Sequence, residues 1–293
     1  MSTEEKSSTH PHPLPQIIIE PRRGWQVLNL RELFEARDLF QLFVLRDITV
    51  LYKQTILGFA WAILNPVITM LVFSTVFGSI GGMKGDGTPY RIWMYAGVVP
   101  WTYFSTALTN STNSLVASAA LISKVYFPRL IIPLTPIFAK LADFGIALVV
   151  LFIMMPFYGL WPSWQLIYAP ILVILMILTA GGIGMWLSAL AIQYRDVKFA
   201  ITFIVQILMF MAPVVWSIVQ FDAKVTMVHG YWLRLVYGLY PMAGVIEGFR
   251  ASLIGRVPMP WDLIGMGTIS ATLIFISGAY YFRRMERIFA DVA

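Results

Sequence analysis

Long apolar segments restrict the fold of this chain more than any other feature of its sequence. A helix needs about 20 mostly apolar residues to cross the roughly 30 Å hydrocarbon core of a bilayer. Five segments reach that length, at about 57–80, 130–157, 166–192, 199–219 and 262–282, and a sixth, more polar one lies at about 92–116. Backbone N–H and C=O groups find no partners in lipid, so such spans are helical. The sequence therefore predicts an all-α polytopic membrane protein with six transmembrane helices.

The charge pattern agrees with this class and predicts an orientation. Of the 293 residues, 58% are hydrophobic and only 12% are charged, whereas a soluble domain has about 25% charged residues. The net charge of +6 does not indicate a nucleic-acid partner, because the basic residues lie at the ends of the apolar segments. Six spans place both termini on one side, and the segments on that side hold fourteen Lys and Arg against six on the other. The positive-inside rule then predicts that both termini are cytoplasmic.

The chain divides into three predicted regions. Residues 1–24 are polar and proline-rich without the apolar core of a signal peptide, which predicts a disordered cytoplasmic tail. Residues 25–56 are predicted to form an amphipathic helix in the membrane interface, because apolar side chains recur on one helical face. Residues 57–293 are the predicted six-span domain. The apolar face of the interface helix carries Leu33, Phe40, Val44, Ile48 and Leu51.

Polar residues at the end of the interface helix lie directly before the first span. Arg46, Tyr52 and Lys53 are the candidates there for contact with an anionic headgroup. The alternative is an ordinary positively charged flank that anchors the first span at the cytoplasmic surface. The sequence leaves both interpretations open.

A further apolar piece, at about 231–255, is predicted to enter the membrane without crossing it. Pro241 divides it into halves of about 10–14 residues, which are too short to span. Irregular backbone at membrane depth is tolerated where it is buried in protein, so we predict a re-entrant helical pair before the last span; an amphipathic helix on the outer surface is the alternative. Its candidate gate residues are Tyr240, Pro241, Glu247 and Arg250.

Two acid–base pairs lie in apolar surroundings at a spacing that allows pairing within one helix. Lys140 and Asp143 are three residues apart, as are Glu247 and Arg250. Intramembrane charges are costly and usually face the interior of a bundle. We interpret both pairs as internal contacts that stabilise packing.

The chain lacks the residue patterns of an enzyme. There is no cysteine, and the three histidines are His10 and His12 in the tail and His229 outside the spans. No paired acids, metal-ligand spacing or nucleophile elbow occurs. We therefore predict no catalytic residue, no metal site and no cofactor in this chain; a membrane-embedded transferase is the alternative from another class.

Five motifs in order resemble the type-2 ABC transporter permeases that export polysaccharides, the O-antigen, capsule and teichoic-acid exporters. They are RDITVLYKQTILGFAWAILNP from Arg46, SKVYFPRLIIPL from Ser123, IQYRDVKFAITFIVQILMFMAPVVW from Ile192, YPMAGVIEGFRASLIG from Tyr240 and FRRMERIFADVA from Phe282. The chain departs from the family at Leu51, where a basic residue is frequent, and at Tyr240, where NPM often replaces YPM.

The resemblance implies a permease homodimer that works with two copies of a separate ABC ATPase. ATP and Mg would be bound by that ATPase, and this chain has no glycine loop ending in Gly-Lys-Ser/Thr. The substrate would be a glycan on undecaprenyl diphosphate, moved across the bacterial cytoplasmic (inner) membrane. A permease of the same superfamily for small hydrophobic compounds or drugs remains the alternative.

The resemblance also assigns candidate residues along the chain. Residues 117–129 would form the coupling helix that docks on the ATPase, with Val125, Tyr126 and Phe127 exposed; a short positively charged loop is the alternative. A polar stripe in the second span would line a glycan pathway or make interhelical hydrogen bonds. The coupling residues are Lys124, Val125, Tyr126, Phe127, Pro128 and Arg129, and the pathway residues are Trp101, Thr102, Phe104, Thr106, Thr109, Asn113 and Trp216.

Overall fold

The computed structural model describes residues 34–53, 58–122, 124–125, 127–219, 222, 231–286 and 289. Helices make up nearly all of this part of the chain, and a single isolated bridge between Gly85 and Thr88 is its only β-type pairing. The helices are α1 Arg37–Lys53, α2 Ala60–Phe73, α3 Tyr90–Ala117, α4 Ala119–Ile122, α5 Ile131–Phe157, α6 Ala169–Gln193, α7 Val197–Met211, α8 Tyr231–Gly238, α9 Pro241–Ile254 and α10 Trp261–Met285. The predicted tail and residues 25–33 of the predicted interface helix lie outside the described residues.

Four helical segments in the described part of the chain are long and apolar enough to cross a membrane. Their bounds are Ala60–Ile80, in which a π-helix from Ser74 extends α2, then Ile131–Phe157, Trp164–Gln193 and Trp261–Met285. Helix α3 has 28 residues, a sufficient length, but its second half is rich in Ser, Thr and Asn. The all-helical membrane class is confirmed.

The fifth predicted span, at about 199–219, is not one continuous helix. Helix α7 has only 15 residues and ends at Met211. The next residue, Ala212, is extended (φ −75°, ψ 147°), because the ring of Pro213 disfavours helical geometry in the residue before it. Residues 212–217 then form an irregular segment that is almost entirely buried.

Helix α3 lies at the centre of the fold. It packs on α5 and α6, and α6 packs on α10 along most of its length. Small residues permit the close approach of α6 and α10: a Cβ on Gly182 would lie 2.7 Å from the backbone nitrogen of Phe275. Helix α9 lies against α3, α6 and α10, and α1 lies along α5.

Two short helices, α8 and α9, meet at Tyr240 and Pro241, where the sequence predicts the division of the re-entrant piece. All fourteen residues of α9 are buried. Pro241 occupies the first turn of α9, where its missing N–H would have no helical partner in any case. The depth of this pair in the membrane stays a prediction.

Candidate functional site

A mainly apolar cavity of about 390 Å³, with a few polar groups in its wall, lies beside the end of the interface helix. Its wall combines the end of α1, the beginning of α2, the middle of α3 and the middle of α5. The volume falls in the range of roughly 300–1,000 Å³ that is usual for small-molecule sites. The lining residues are Tyr52, Gly58, Trp61, Ala62, Asn65, Pro66, Val99, Thr102, Tyr103, Thr106, Lys140, Asp143, Phe144 and Ala147.

The Asp143 carboxylate and two side chains that donate hydrogen bonds to it form the polar part of the cavity wall. The Lys140 ammonium donates to Asp143 Oδ2 at 2.7 Å, and the Tyr52 hydroxyl donates to Asp143 Oδ1 at 2.5 Å. Lys140 is only 8% exposed. Burial, together with the neighbouring Asp143 carboxylate, raises the pKa of Tyr52 well above its ordinary value. The hydroxyl therefore stays protonated and ties α1 to α5.

The polar stripe on α3 is divided between the cavity and the bundle. Thr102 and Thr106 line the cavity, whereas Thr109 and Asn113 do not. Thr106, Thr109 and Asn113 each donate to a carbonyl four residues earlier in α3, as helical Thr side chains often do. Only the first half of the stripe can therefore meet a ligand in this cavity.

The aromatic pathway candidates do not line the cavity. Trp101 and Phe104 are buried in the hydrophobic core and contact each other at a ring separation of 5.5 Å. Trp216 is partly buried, and its indole nitrogen donates to the Phe210 carbonyl at 3.2 Å. Its ring also lies 5.7 Å from that of Tyr237. The contacts of these three residues are with the protein itself.

The headgroup candidates Arg46, Tyr52 and Lys53 have different surroundings. The Arg46 guanidinium binds its neighbour Asp47 at 2.8 Å and lies 4.9 Å from the centre of the Phe43 ring. Lys53 is exposed at the end of α1. Of the three residues, only Tyr52 reaches the cavity.

The segment between the second and third predicted spans is anchored more firmly than the sequence indicates. Helix α4 has only four residues, after which Lys124 and Val125 are exposed. The expectation that Phe127 is exposed is wrong: the side chain is 6% exposed and packs edge-on against Phe43 of α1 at 5.7 Å. Tyr126 lies outside the described residues.

The end of the same segment contacts the end of the last helix. Arg129 donates to the Glu286 carbonyl at 2.5 Å, and Pro128 beside it is half-buried. The segment therefore joins α1 through Phe127 and the end of α10 through Arg129. A movement of residues 124–129 would displace both α1 and the end of α10.

Side chains from other parts of the fold satisfy the carbonyls left free where α7 ends. The last four carbonyls of a helix have no partner within it. Tyr237 donates to the Met211 carbonyl at 2.7 Å, and Tyr240 donates at 3.1 Å to the Leu208 carbonyl, which also accepts from the Ala212 backbone N–H at 2.9 Å. The helix pair α8–α9 thus caps α7.

Arg250 satisfies the irregular segment that follows. Its guanidinium donates to the carbonyls of Pro213 and Val214, each at 2.6 Å, to Glu247 at 3.0 Å and to the Trp93 carbonyl at 3.3 Å. It also lies 3.4 Å from the centre of the Trp93 ring. Arg250 and Glu247 are 1% and 2% exposed. The internal contact predicted for Glu247 and Arg250 is present.

Two acids complete this network. Glu247 accepts from the Ile218 backbone N–H at 3.2 Å. Asp86, in the turn before α3, accepts from the Trp93 indole at 3.2 Å and from the Ser217 hydroxyl at 2.6 Å. We call Asp86, Trp93, Ser217, Glu247 and Arg250 the outer network; it holds the broken helix, the turn before α3 and helix α9 together.

Sequence reasoning missed three features of these sites. The convergence of Tyr52 on Asp143 carries no local signal, because the residues are 91 positions apart. Asn65 of the cavity wall has a weak local signal in the sequence, since an amide in the apolar first span is uncommon. Asp86, in the turn before α3, was not among the predicted site residues. Among the described residues, no group of three His, Asp or Glu could hold a metal ion.

Comparison with known proteins places the chain among transport proteins. The family model described as ABC-2 type transporter matches residues 38–254. The O-antigen export system permease protein RfbA of Myxococcus xanthus is 25% identical over 260 residues, 88% of this chain and 96% of that protein. An O-antigen export system permease protein RfbA of Klebsiella pneumoniae is 25% identical over 269 residues, 90% and 100% of the two chains. The polysialic acid transport protein KpsM of Escherichia coli is 20% identical over 251 residues, 83% and 92%.

Proposed function

The chain belongs to the ABC-2 type transporter family, and from this premise we propose that it is the membrane-spanning subunit of an ATP-driven exporter of lipid-linked polysaccharide. The observation that carries the proposal is the similarity over most of the chain to permeases named for O-antigen export. The cavity beside the interface helix supports it, because a mainly apolar wall with a few polar groups suits an amphiphilic substrate. The membrane is the bacterial cytoplasmic (inner) membrane.

The working assembly in this proposal is a permease homodimer with two ABC ATPase subunits, which bind ATP and Mg. Helix α3 and the broken segment from Val197 to Val219 add two spans to the four long apolar helices, giving six. Both termini are cytoplasmic, and α8–α9 enters the membrane from the outer face without crossing. The fourteen basic residues of the cytoplasmic segments support this orientation.

The substrate enters beside the interface helix. Arg46 and Lys53 meet the anionic headgroup of a polyprenyl-diphosphate glycan at the surface, and Tyr52 leads from there into the cavity. Hydroxyl groups such as those of Thr102 and Thr106 suit a sugar. The glycan leaves past the helix pair α8–α9, where Tyr240, Pro241, Glu247 and Arg250 form the gate.

Deletion of the gene tests the substrate class. Surface glycan should disappear while lipid-linked glycan accumulates on the cytoplasmic face, and the wild-type gene should restore export. Intact surface glycan in the deletion strain, with accumulation of a small hydrophobic compound instead, would replace this proposal by the drug-export alternative.

The exposed part of residues 124–129 docks on the ATPase, and its anchored part transmits the movement. Val125 is 53% exposed, so a charge there leaves the fold intact but disturbs an apolar contact with a partner. Val125→Asp should lower ATP turnover of the reconstituted complex. Val149→Thr, at an exposed position in α5 away from the segment, is the control. Unchanged turnover with Val125→Asp in an assembled complex would refute docking at this residue.

A further inference from the structure

The Asp143 carboxylate occupies a site that is shaped to hold an oxyanion. Each of its oxygens accepts from a different donor, Tyr52 at 2.5 Å and Lys140 at 2.7 Å. The donors come from different helices, α1 and α5, and they meet in the wall of the 390 Å³ cavity. Hydrogen bonds to an ionised acceptor are roughly twice as strong as neutral ones. The arrangement is therefore a preformed anion site with an internal occupant.

Some hydrogen-bond donors of this site have no partner among the described residues. An ammonium group has three N–H donors, and within the described part of the chain the hydrogen bonds of the Lys140 side chain go to Asp143 alone. In the same part of the chain, the Thr102 hydroxyl and the Asn65 amide line the cavity and make no side-chain hydrogen bond. Among the described residues, therefore, the cavity wall offers a ligand donors that have no other partner, beside a buried cation.

We propose that Tyr52 and Lys140 form a binding site for a phosphoryl group and that Asp143 occupies this site when the ligand is absent. The inference deepens the proposed function and rests on it. A lipid diphosphate and a free phosphate share this chemistry, and the lipid is the expected source because the cavity opens beside α1 and α2. Arg46 and Lys53 remain surface contacts in this scheme.

The charges explain why a phosphoryl group replaces a carboxylate. A diphosphate carries more negative charge and more acceptor oxygens than Asp143, so its attraction to a buried ammonium is larger. The Asp143 side chain is 26% exposed, whereas the Lys140 side chain is 11% exposed. Asp143 can therefore turn to water when displaced, while the cation stays in place.

The choice of an anion over a neutral sugar follows from the donor pattern. Sugar hydroxyls both donate and accept, and they pair well with mixed donors and acceptors. Here the two strongest groups, the Tyr52 hydroxyl and the Lys140 ammonium, both donate toward one point. Thr102 and Thr106 lie further along the cavity wall and suit the first sugar instead.

Binding at this site would change how the interface helix is joined to α5. The direct Tyr52–Asp143 hydrogen bond would be replaced by a connection through the ligand, which Tyr52 of α1 and Lys140 of α5 would both hold. Helix α1 also contacts the coupling segment through Phe43 and Phe127. Occupancy of the phosphoryl site is thereby linked to the segment that we propose docks on the ATPase.

The test measures binding to the full chain in phospholipid nanodiscs with farnesyl diphosphate, farnesol and inorganic pyrophosphate as probes. Asp143→Asn removes the competing carboxylate at almost constant shape, and it should tighten farnesyl diphosphate binding roughly tenfold, the factor expected for a hydrogen bond to a charged group. The double variant Lys140→Gln with Asp143→Asn leaves no unpaired charge and should weaken binding at least about tenfold. Asp196→Asn, in the connection between α6 and α7, and Lys198→Gln, in the first turn of α7, are the matched controls.

Each outcome decides the proposal. Equal affinities of the cavity variants and the control variants would overturn it, and so would equal changes for farnesol and farnesyl diphosphate. Pyrophosphate binding as tight as that of farnesyl diphosphate would assign the site to free phosphate. Export is measured separately: loss of surface glycan on gene deletion with unaltered binding in Asp143→Asn would refute this site and leave the proposed function standing.

Discussion

The two buried acid–base pairs of this protein have the same spacing in sequence and opposite surroundings in the fold. Arg250 makes hydrogen bonds to three backbone carbonyls and to Glu247, and both residues are enclosed. Lys140 bonds only to Asp143 among the described residues and faces a cavity. Neither arrangement can be read from the i, i+3 spacing.

The difference teaches how to separate a structural pair from a binding pair. A buried charge is costly unless pairing and hydrogen bonds compensate it fully. The outer network meets that condition, so its role is to hold the broken helix in place. In the described part of the chain, the cavity pair has donors without a partner next to open space, where a ligand can complete the compensation.

The largest expected effect is on the saturated pair. Arg250→Met leaves Glu247 without its partner and the carbonyls of Pro213 and Val214 without donors. We expect a loss of about 3–5 kcal/mol in the free energy of unfolding, as for a broken buried ion pair. Thermal denaturation in detergent measures it, and Arg256→Met, at an exposed position after α9, is the control. A loss equal to that of the control would show that the outer network does not stabilise the fold.

A smaller loss of stability is expected when a side chain is added to Gly97, whose backbone lies against Arg250. A Cβ on Gly97 would lie 3.0 Å from Arg250 Cζ, whereas a Cβ on Gly145 of α5 would meet nothing within 4 Å. Gly97→Ala should cost about 1–3 kcal/mol through overpacking, and Gly145→Ala should be neutral or stabilising because Ala favours helix. Both variants are compared by thermal denaturation; if they behave alike, the guanidinium is not tightly held.

Replacing both charged residues of a pair by neutral ones distinguishes the two sites. Lys140→Gln with Asp143→Asn should stay within about 1 kcal/mol of the wild-type stability, since replacing both partners of an ion pair is often neutral, yet should abolish glycan export. Glu247→Gln with Arg250→Gln should still destabilise the protein, because three carbonyls lose their donors. Equal stability of the two double variants would contradict the comparison.

The smallest effect is expected at the connection between α1 and α5. Tyr52→Phe removes one hydrogen bond to Asp143 and should cost about 1 kcal/mol or less. In the ATPase-coupled complex, the same change should raise ATP turnover without substrate, because the side-chain hydrogen bond between α1 and α5 is lost. Tyr194→Phe, at an exposed position after α6, is the control for both measurements. Turnover equal to that control would argue against a link from Tyr52 to the coupling segment.

The sequence predicted the helical membrane class and the division at Pro241, because both depend on local properties. Apolar length determines whether a segment can cross a bilayer, and proline acts on its own helix. The break after Met211 was missed although Pro213 marks it. A proline in an apolar run kinks some helices and ends others, and here the outcome depends on whether the freed carbonyls find donors elsewhere in the fold.

The candidate site was predictable only in part. Tyr52 was predicted for the headgroup and Thr102 and Thr106 for the glycan pathway, and the sequence did not predict that the three share one cavity wall. Phe127 was predicted to be exposed and is buried against Phe43. An aromatic residue in a short loop gives no local indication of what covers it.

The sequence by itself determined where this chain is apolar, where it is basic and where a proline can interrupt a helix, since these follow from side-chain chemistry and backbone geometry. The tertiary structure alone decided which of the two i, i+3 acid–base pairs has its hydrogen bonds satisfied by the protein. Arg250 reaches the carbonyl of Trp93, 157 positions away, and Tyr52 reaches Asp143 across 91. Hydrogen-bond satisfaction depends on groups brought together by packing, and no local pattern contains it.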